Sequence, residues 1–183
     1  MGTSSPSPNE WAENDASDWL RSNMDLVARD RAVLDVASGR GRHALLLAAR
    51  GWDVHAVDRD LTALATIAER ARALGVNVQT TGVDLERDGA DLGEDRYGTI
   101  LVFNYLHRPL FPAIVRALGP GGVLLYETFT IGQRARGHPR NPAFLLQHGE
   151  LARLVAPLEI VRSREGDHGG KLLASVAARK PLP

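Results

Sequence analysis

Apolar and polar positions follow two rhythms along this chain. Strand patterns recur at 32–37, 53–58, 76–84, 99–104 and 123–129, and their alternation with helices implies a mostly parallel sheet covered on both faces. Between them lie stretches with helical spacing at 42–50, 61–75 and 109–118. In 61–75, Leu61, Leu64, Ala65, Ala68, Ala71 and Leu74 repeat at helical intervals, and Gly75 closes the helix as Gly51 closes the one before it. Residues 10–29 also read as a helix, with Trp11, Trp19, Leu20, Leu26 and Val27 as its apolar contacts. GPGG at 119–122 reads as a turn, 131–143 as a loop and 148–155 as the last helix. Two final strands, 158–165 and 170–179, are joined by EGDHGG, too short for a helical crossover, so they pair antiparallel. The fold class that follows is α/β, a Rossmann-like doubly wound sheet of seven strands, mostly parallel, with a C-terminal antiparallel hairpin.

Composition narrows this outline. The chain has 183 residues, 44% of them hydrophobic, enough for one domain with a full core. Residues 1–9, MGTSSPSPN, are polar and proline-rich and read as a disordered tail, leaving 10–180 as a single domain. Twenty-two basic residues balance 22 acidic ones, so no global positive field draws in nucleic acid or an anionic membrane. No apolar run approaches the ~20 residues of a membrane span, and no signal-peptide pattern opens the sequence. Cysteine is absent, which excludes disulfides, thiolate metal sites and a cysteine nucleophile. A cytoplasmic protein, monomeric or homodimeric, with no metal, is the expectation.

Open sheets of this class bind ligands at the carboxyl ends of their strands. The turn after the first strand, Asp58, Asp84, Asn104 and Glu127 all fall there. Gly39, Gly41 and Ala44 match a dinucleotide-type G-x-G-x-x-G/A turn, and Asp58 follows Gly39 by 19 residues. One residue departs from that pattern. Asp35 stands four residues before Gly39, where its carboxylate would repel a pyrophosphate and suit a cationic ligand, an ammonium or a sulfonium. S-adenosylmethionine carries both, with a ribose for Asp58 and no phosphate. Asp35 equally fits a structural carboxylate that accepts amide hydrogen bonds from the turn.

VLDVASGRGRH, AVDRD, GVDLE, ILVFNYL and GPGGVLLYETF, in that order, resemble the consecutive motifs of class I S-adenosylmethionine-dependent methyltransferases. GRGRHALLLAARGWDVHAVDRD with NYLHRPL and YETF is most similar to the small bacterial tellurite-resistance-type methyltransferases, a group acting on small soft or anionic acceptors. Ser38 stands where that group commonly has cysteine. The resemblance implies S-adenosyl-L-methionine as cofactor. It places Asp35, Ala37, Gly39, Gly41 and Arg42 around the methionine half and Asp58 on the ribose hydroxyls. Arg59 and Leu61 then flank the adenine, Asp84 and Leu85 lie at its edge, and Asn104 and Tyr105 stand beside the methyl donor. Asp84 and Asn104 also fit a plain capping role.

The acceptor leaves fewer marks. The segment Asn104-Tyr105-Leu106-His107 lacks the prolines common in nucleobase amino-methyltransferases, and the missing cysteine disfavours pyrimidine C5 methylation. A small-molecule acceptor remains, with no nucleic-acid partner. His107 and Arg108, with Arg134, Arg136, His138 and Arg140 of the 131–143 loop, suggest a basic rim for an anion or a chalcogen oxyanion, and Trp19 a further acceptor wall. His107 is the first candidate for a general base, followed by Tyr105 and Glu127. Two other readings stay open at this point: an NAD-dependent oxidoreductase, and a non-catalytic S-adenosylmethionine-binding partner subunit.

Overall fold

A computed structural model of the protein describes residues 15–87 and 89–183; the expected tail, Trp11 and the start of the 10–29 helix lie outside them. Seven strands form one sheet in the order β3-β2-β1-β4-β5-β7-β6. They are β1 (Val33–Val36), β2 (Val54–Asp58), β3 (Gln79–Gly82), β4 (Tyr97–Phe103), β5 (Leu118–Phe129), β6 (Glu159–His168) and β7 (Lys171–Arg179). The first five run parallel, and β7 inserts antiparallel between β5 and β6. Every residue of β1 and β4 is buried, as their unbroken apolar runs require.

Among the described residues, five α-helices cover the faces: α1 (Asp18–Ser22), α2 (Arg42–Ala49), α3 (Leu61–Leu74), α4 (Phe111–Ala117) and α5 (Glu150–Leu154). Apolar residues of α1, α2 and α3 pack on Val33, Leu101 and Leu125 of one face. Those of α4 and α5 pack on Leu34, Ile100 and Leu124 of the other. None of these helices is long and apolar enough to cross a membrane.

Three expected elements change. Within the described part of the expected 10–29 helix the chain breaks into short pieces: the Ser17 hydroxyl caps α1 by accepting the Trp19 amide at 3.0 Å. Asn23 then ends it, its side-chain amide donating to the Trp19 carbonyl at 2.7 Å, and a single 3-10 turn, Met24–Leu26, follows. The GPGG segment does not stop the chain before β5; Tyr97 pairs with Leu118 across a bulge, so the strand begins earlier. Its β-carbon-free backbone matters there, because a Cβ on Gly122 would lie 2.8 Å from the Gly119 carbonyl oxygen. Lastly, β6 runs on to His168, and only Gly169 and Gly170, both at positive φ, make the turn into Lys171.

Candidate active site

The glycine turn leaves β1 through three residues of positive φ: Ala37 at 53°, Gly39 at 54° and Gly41 at 74°. A Cβ on Gly39 would meet nothing within 4 Å, so open space lies over the turn; on Gly41 it would strike Ile67 of α3 at 2.6 Å. Asn104, at the end of β4, is also left-handed, at φ 57°. A non-glycine residue such as Ala37 held in this region stores strain, the kind found at functional sites.

Ala37 and Asn104 sit where cavities meet. A cavity of about 250 Å³ collects seven of the expected residues: Ala37, Asp58, Arg59, Asp84, Leu85, Asn104 and Tyr105. A second, of about 420 Å³, shares Ala37 and Asn104 and adds Asp35, Ser38, Arg42 and His43. A third, of about 280 Å³, shares Arg42 and Asn104 and is walled by Ser17, Glu127, Arg164, His168 and Lys171. Asn104 therefore stands at the junction of all three.

Asp58 does two things. Its Oδ2 accepts the Gly39 amide at 2.7 Å and its Oδ1 the Asp60 amide at 2.9 Å, tying the glycine turn to the end of β2. Spare lone pairs still face the first cavity. Asp84 caps its own turn through the Glu86 amide at 3.1 Å, the bland role, while lining the same cavity. The Tyr105 hydroxyl is buried there without a partner, and burial pushes it up to about 12, so it is a neutral donor. Its place on the first cavity sets Tyr105 apart from the expected proton-accepting role.

Asp35 combines both readings of its carboxylate. Its Oδ2 accepts the Ala44 amide at 3.2 Å, capping α2, and it lines the second cavity. Burial raises it to about 7, against the Ala44 hydrogen bond and the Arg42 charge, which lower it, while Asp58 adds a smaller rise. The unfolded carboxyl ionises near 4. Between about pH 4 and 7 the folded protein thus holds the extra proton, and rising pH costs stability across that window. A cationic ligand favours the ionised form, so its binding should strengthen as pH rises from 6 to 8. Calorimetry of S-adenosylmethionine at both values should show this dependence in the wild type and a flat, weaker response in Asp35→Asn.

His43 closes the VLDVASGRGRH motif without an expected role. It is buried against Phe103, ring centroids 4.1 Å apart, and burial with the Arg42 charge pushes it down to about 3. As a neutral ring its Nε2 accepts the Ser17 amide at 3.2 Å.

Other expected residues lie elsewhere. His107 lines a cavity of about 230 Å³ with Arg87, Leu110 and Arg116, which shares Leu85 with the first cavity but does not reach Asn104. Arg108 is consumed by structure: it grips both oxygens of Glu150, at 2.6 and 2.9 Å, and the carbonyls of Ala143 and Leu145. Trp19 is a core anchor, its indole donating to the Val176 carbonyl at 3.2 Å. Arg136 pairs with Asp167; Arg134, His138 and Arg140 are exposed and line none of these cavities. Glu127 accepts hydrogen bonds from Ser17, Ser175 and Arg164, which occupies the carboxylate expected to serve as a base. The positive rim comes instead from Arg42, Arg164 and Lys171, with His168 among them.

Comparison with known proteins decides what this edge belongs to. Residues 33–122, from β1 into β5, match the family model described as a methyltransferase domain. Over about half of its length the chain is therefore similar to S-adenosylmethionine-dependent methyltransferases. TehB of Haemophilus influenzae, an S-adenosyl-L-methionine-dependent methyltransferase by name, is 29% identical over 84 residues, 46% of this chain and 29% of its own length. Hemagglutinin 1 of Eikenella corrodens is 24% identical over 169 residues, 89% of this chain and 54% of its own. The chain thus spans only part of the length of these relatives. Among solved structures, that of the Haemophilus influenzae TehB has a TM-score of 0.74 at 18% identity, covering 94% of this chain and 67% of that one. The [4+2]-cyclase SpnF has 0.71 at 17%, covering 96% and 81%. The match to the methyltransferase-domain model and the antiparallel β7 weigh against the NAD-dependent oxidoreductase reading.

The residues fit the cofactor of this family. An acid (Asp58) and an orphaned hydroxyl (Tyr105) line the first cavity. An acid (Asp35) and a second orphaned hydroxyl (Ser38) line the adjoining one, with Arg40 and Arg42. That sequence of groups suits ribose hydroxyls on one side and an ammonium and carboxylate on the other.

Proposed function

We propose that the protein transfers a methyl group from S-adenosylmethionine to a small anionic acceptor, and that the acceptor occupies the 280 Å³ cavity between the 15–18 segment and the β6–β7 hairpin. The observation that carries this is the position of Asn104, shared by both cofactor cavities and by this third one. Four cationic side chains (Arg21, Arg42, Arg164 and Lys171) face two carboxylates there (Asp18 and Glu127). Asp18 is taken by Arg21 and Glu127 by Arg164. Arg42 and Lys171 have no ion-pair partner within 4 Å among the described residues, so the cavity carries net positive charge suited to an anion.

Bound S-adenosylmethionine supplies an electrophilic methyl group on a sulfonium. The chain's own task is to hold and orient. Asp58 and Tyr105 hold the adenosine side, and Asp35 faces the cationic half. Arg42 and Lys171 hold the acceptor's charge. The Nε2 of His168 is buried in this wall without a hydrogen-bond partner, so it stands ready to accept a proton from the acceptor or to hydrogen-bond it. Ala16, Ser17 and Asp18 form one side of the cavity.

Because the SpnF cyclase shares the fold, turnover must be measured rather than taken from the architecture. Wild-type protein with S-adenosylmethionine and a panel of thiols, carboxylates, phenols and chalcogen oxyanions should form S-adenosylhomocysteine with anionic members. Binding of S-adenosylhomocysteine with no turnover on any member would instead favour a non-catalytic partner subunit. Changing Arg134, Arg136 and Arg140 together to glutamine should leave acceptor KM within about twofold, since these exposed groups are outside the cavity and solvent-screened. A large, salt-sensitive KM rise in that variant would move the acceptor to the 131–143 loop.

A further inference from the structure

We infer that Glu127 is a positioning residue that limits the charge of the acceptor, acting through Arg164 and Ser17. This rests on the reading that an anion occupies the third cavity. Glu127 is 5% exposed and sits near the end of β5, between the glycine turn's strands and the hairpin. Its Oε2 accepts the Arg164 guanidinium at 2.9 Å and the Ser175 hydroxyl at 2.7 Å. Its Oε1 accepts the Ser17 hydroxyl at 2.6 Å, across 110 residues of sequence. One carboxylate thus binds two sides of the cavity.

Both tethers are reinforced. The Ser17 amide donates to His43, so that side is fastened at two points, one at the cofactor cavity and one at the acceptor cavity. Arg164 lies over the Trp19 ring at 4.9 Å, and its Nε reaches Ser175 at 3.3 Å. The guanidinium is held by aromatic face, hydroxyl and carboxylate together, which leaves it little freedom to turn toward a ligand. With its charge matched by Glu127, Arg164 shapes the wall without adding to the cavity's net charge. Arg42 and Lys171 then set the charge that an acceptor meets. Neutralising Glu127 leaves the Arg164 charge unmatched beside the ligand, where a second negative charge on that ligand becomes favourable.

Butyrate and succinate, similar in length but carrying one and two charges, are the probes. NMR chemical-shift titration at pH 8 of the S-adenosylhomocysteine-loaded protein, read at the Gly169 and Gly170 amides, measures both affinities. Glu127→Gln should raise the succinate-to-butyrate affinity ratio about tenfold, the effect of one added unit charge a few ångströms away. Glu127→Asp, which restores the charge, should return the ratio toward wild type. Ser17→Ala removes the hydroxyl tether but keeps the ion pair, and should weaken both anions alike with the ratio unchanged. S-adenosylhomocysteine affinity should stay within about threefold in all variants, because Glu127 lines neither cofactor cavity. An unchanged ratio in Glu127→Gln, with both anions binding the wild type, overturns the role of Glu127 alone. Failure of the wild type to bind either anion overturns the anionic-acceptor reading and the inference with it.

Discussion

His168→Ala should lower kcat/KM by about 100- to 10,000-fold on an acceptor that loses a proton, the usual range for a general base. His107→Asn should leave kcat/KM within a few-fold. The two histidines are told apart by their cavities. His168 closes β6 beside Arg42, Asn104 and Lys171, and its buried Nε2 has no partner. His107 lines a cavity that does not reach Asn104. The His168→Asn variant keeps a polar group that cannot accept a proton near neutral pH, so it should be nearly as poor as alanine. Recovery of most activity in His168→Asn would make His168 an orienting group only. A larger loss at His107 would return the base to the segment after β4.

Asp58→Ala should weaken S-adenosylhomocysteine binding by about 100-fold. Charge-assisted hydrogen bonds are worth roughly 1.5–3 kcal/mol, and every 1.4 kcal/mol is about tenfold in affinity. The loss sits at the upper end because the same carboxylate holds the Gly39 amide at 2.7 Å, so its removal also loosens the turn under the cofactor. Asp58→Asn retains one acceptor oxygen and should lose only about tenfold. Strand β2 is paired on both sides, so thermal unfolding should remain cooperative in both variants. Calorimetry alongside circular dichroism separates the two effects. Unchanged affinity in a folded Asp58→Ala would take Asp58 out of the ribose site.

The cofactor edge was legible in the sequence because its signals are local. Glycines at 39 and 41 announce a backbone that must turn left-handed, and both do, at 54° and 74°. An apolar run followed by an acid places Asp58 at the end of a buried parallel strand, and Asp84 just beyond the next one. Strand–helix alternation then gathers those ends on one edge, since parallel strands joined by crossovers point the same way. Seven of the expected residues accordingly share one cavity.

The acceptor side depends on distances that no local pattern encodes. Ser17 meets Glu127 across 110 residues, and Arg136 turns away to Asp167 rather than toward the site. A cluster such as Arg134, Arg136, His138 and Arg140 states its charge in sequence but not its direction. Arg108 shows the same limit: beside the right strand, it is spent on Glu150 and two carbonyls. His168 looked like part of a loose turn because EGDHGG reads as one. Only the pairing of β6 with β7 extends the strand to His168 and sets it opposite Lys171, at the mouth of a cavity begun by the other end of the chain. Sequence alone determined the sheet and the acids gathered at the carboxyl ends of its strands, because periodicity and turn chemistry act between near neighbours. Tertiary structure decided which basic groups face the acceptor, because charge acts through space and its partners are chosen only when distant segments meet.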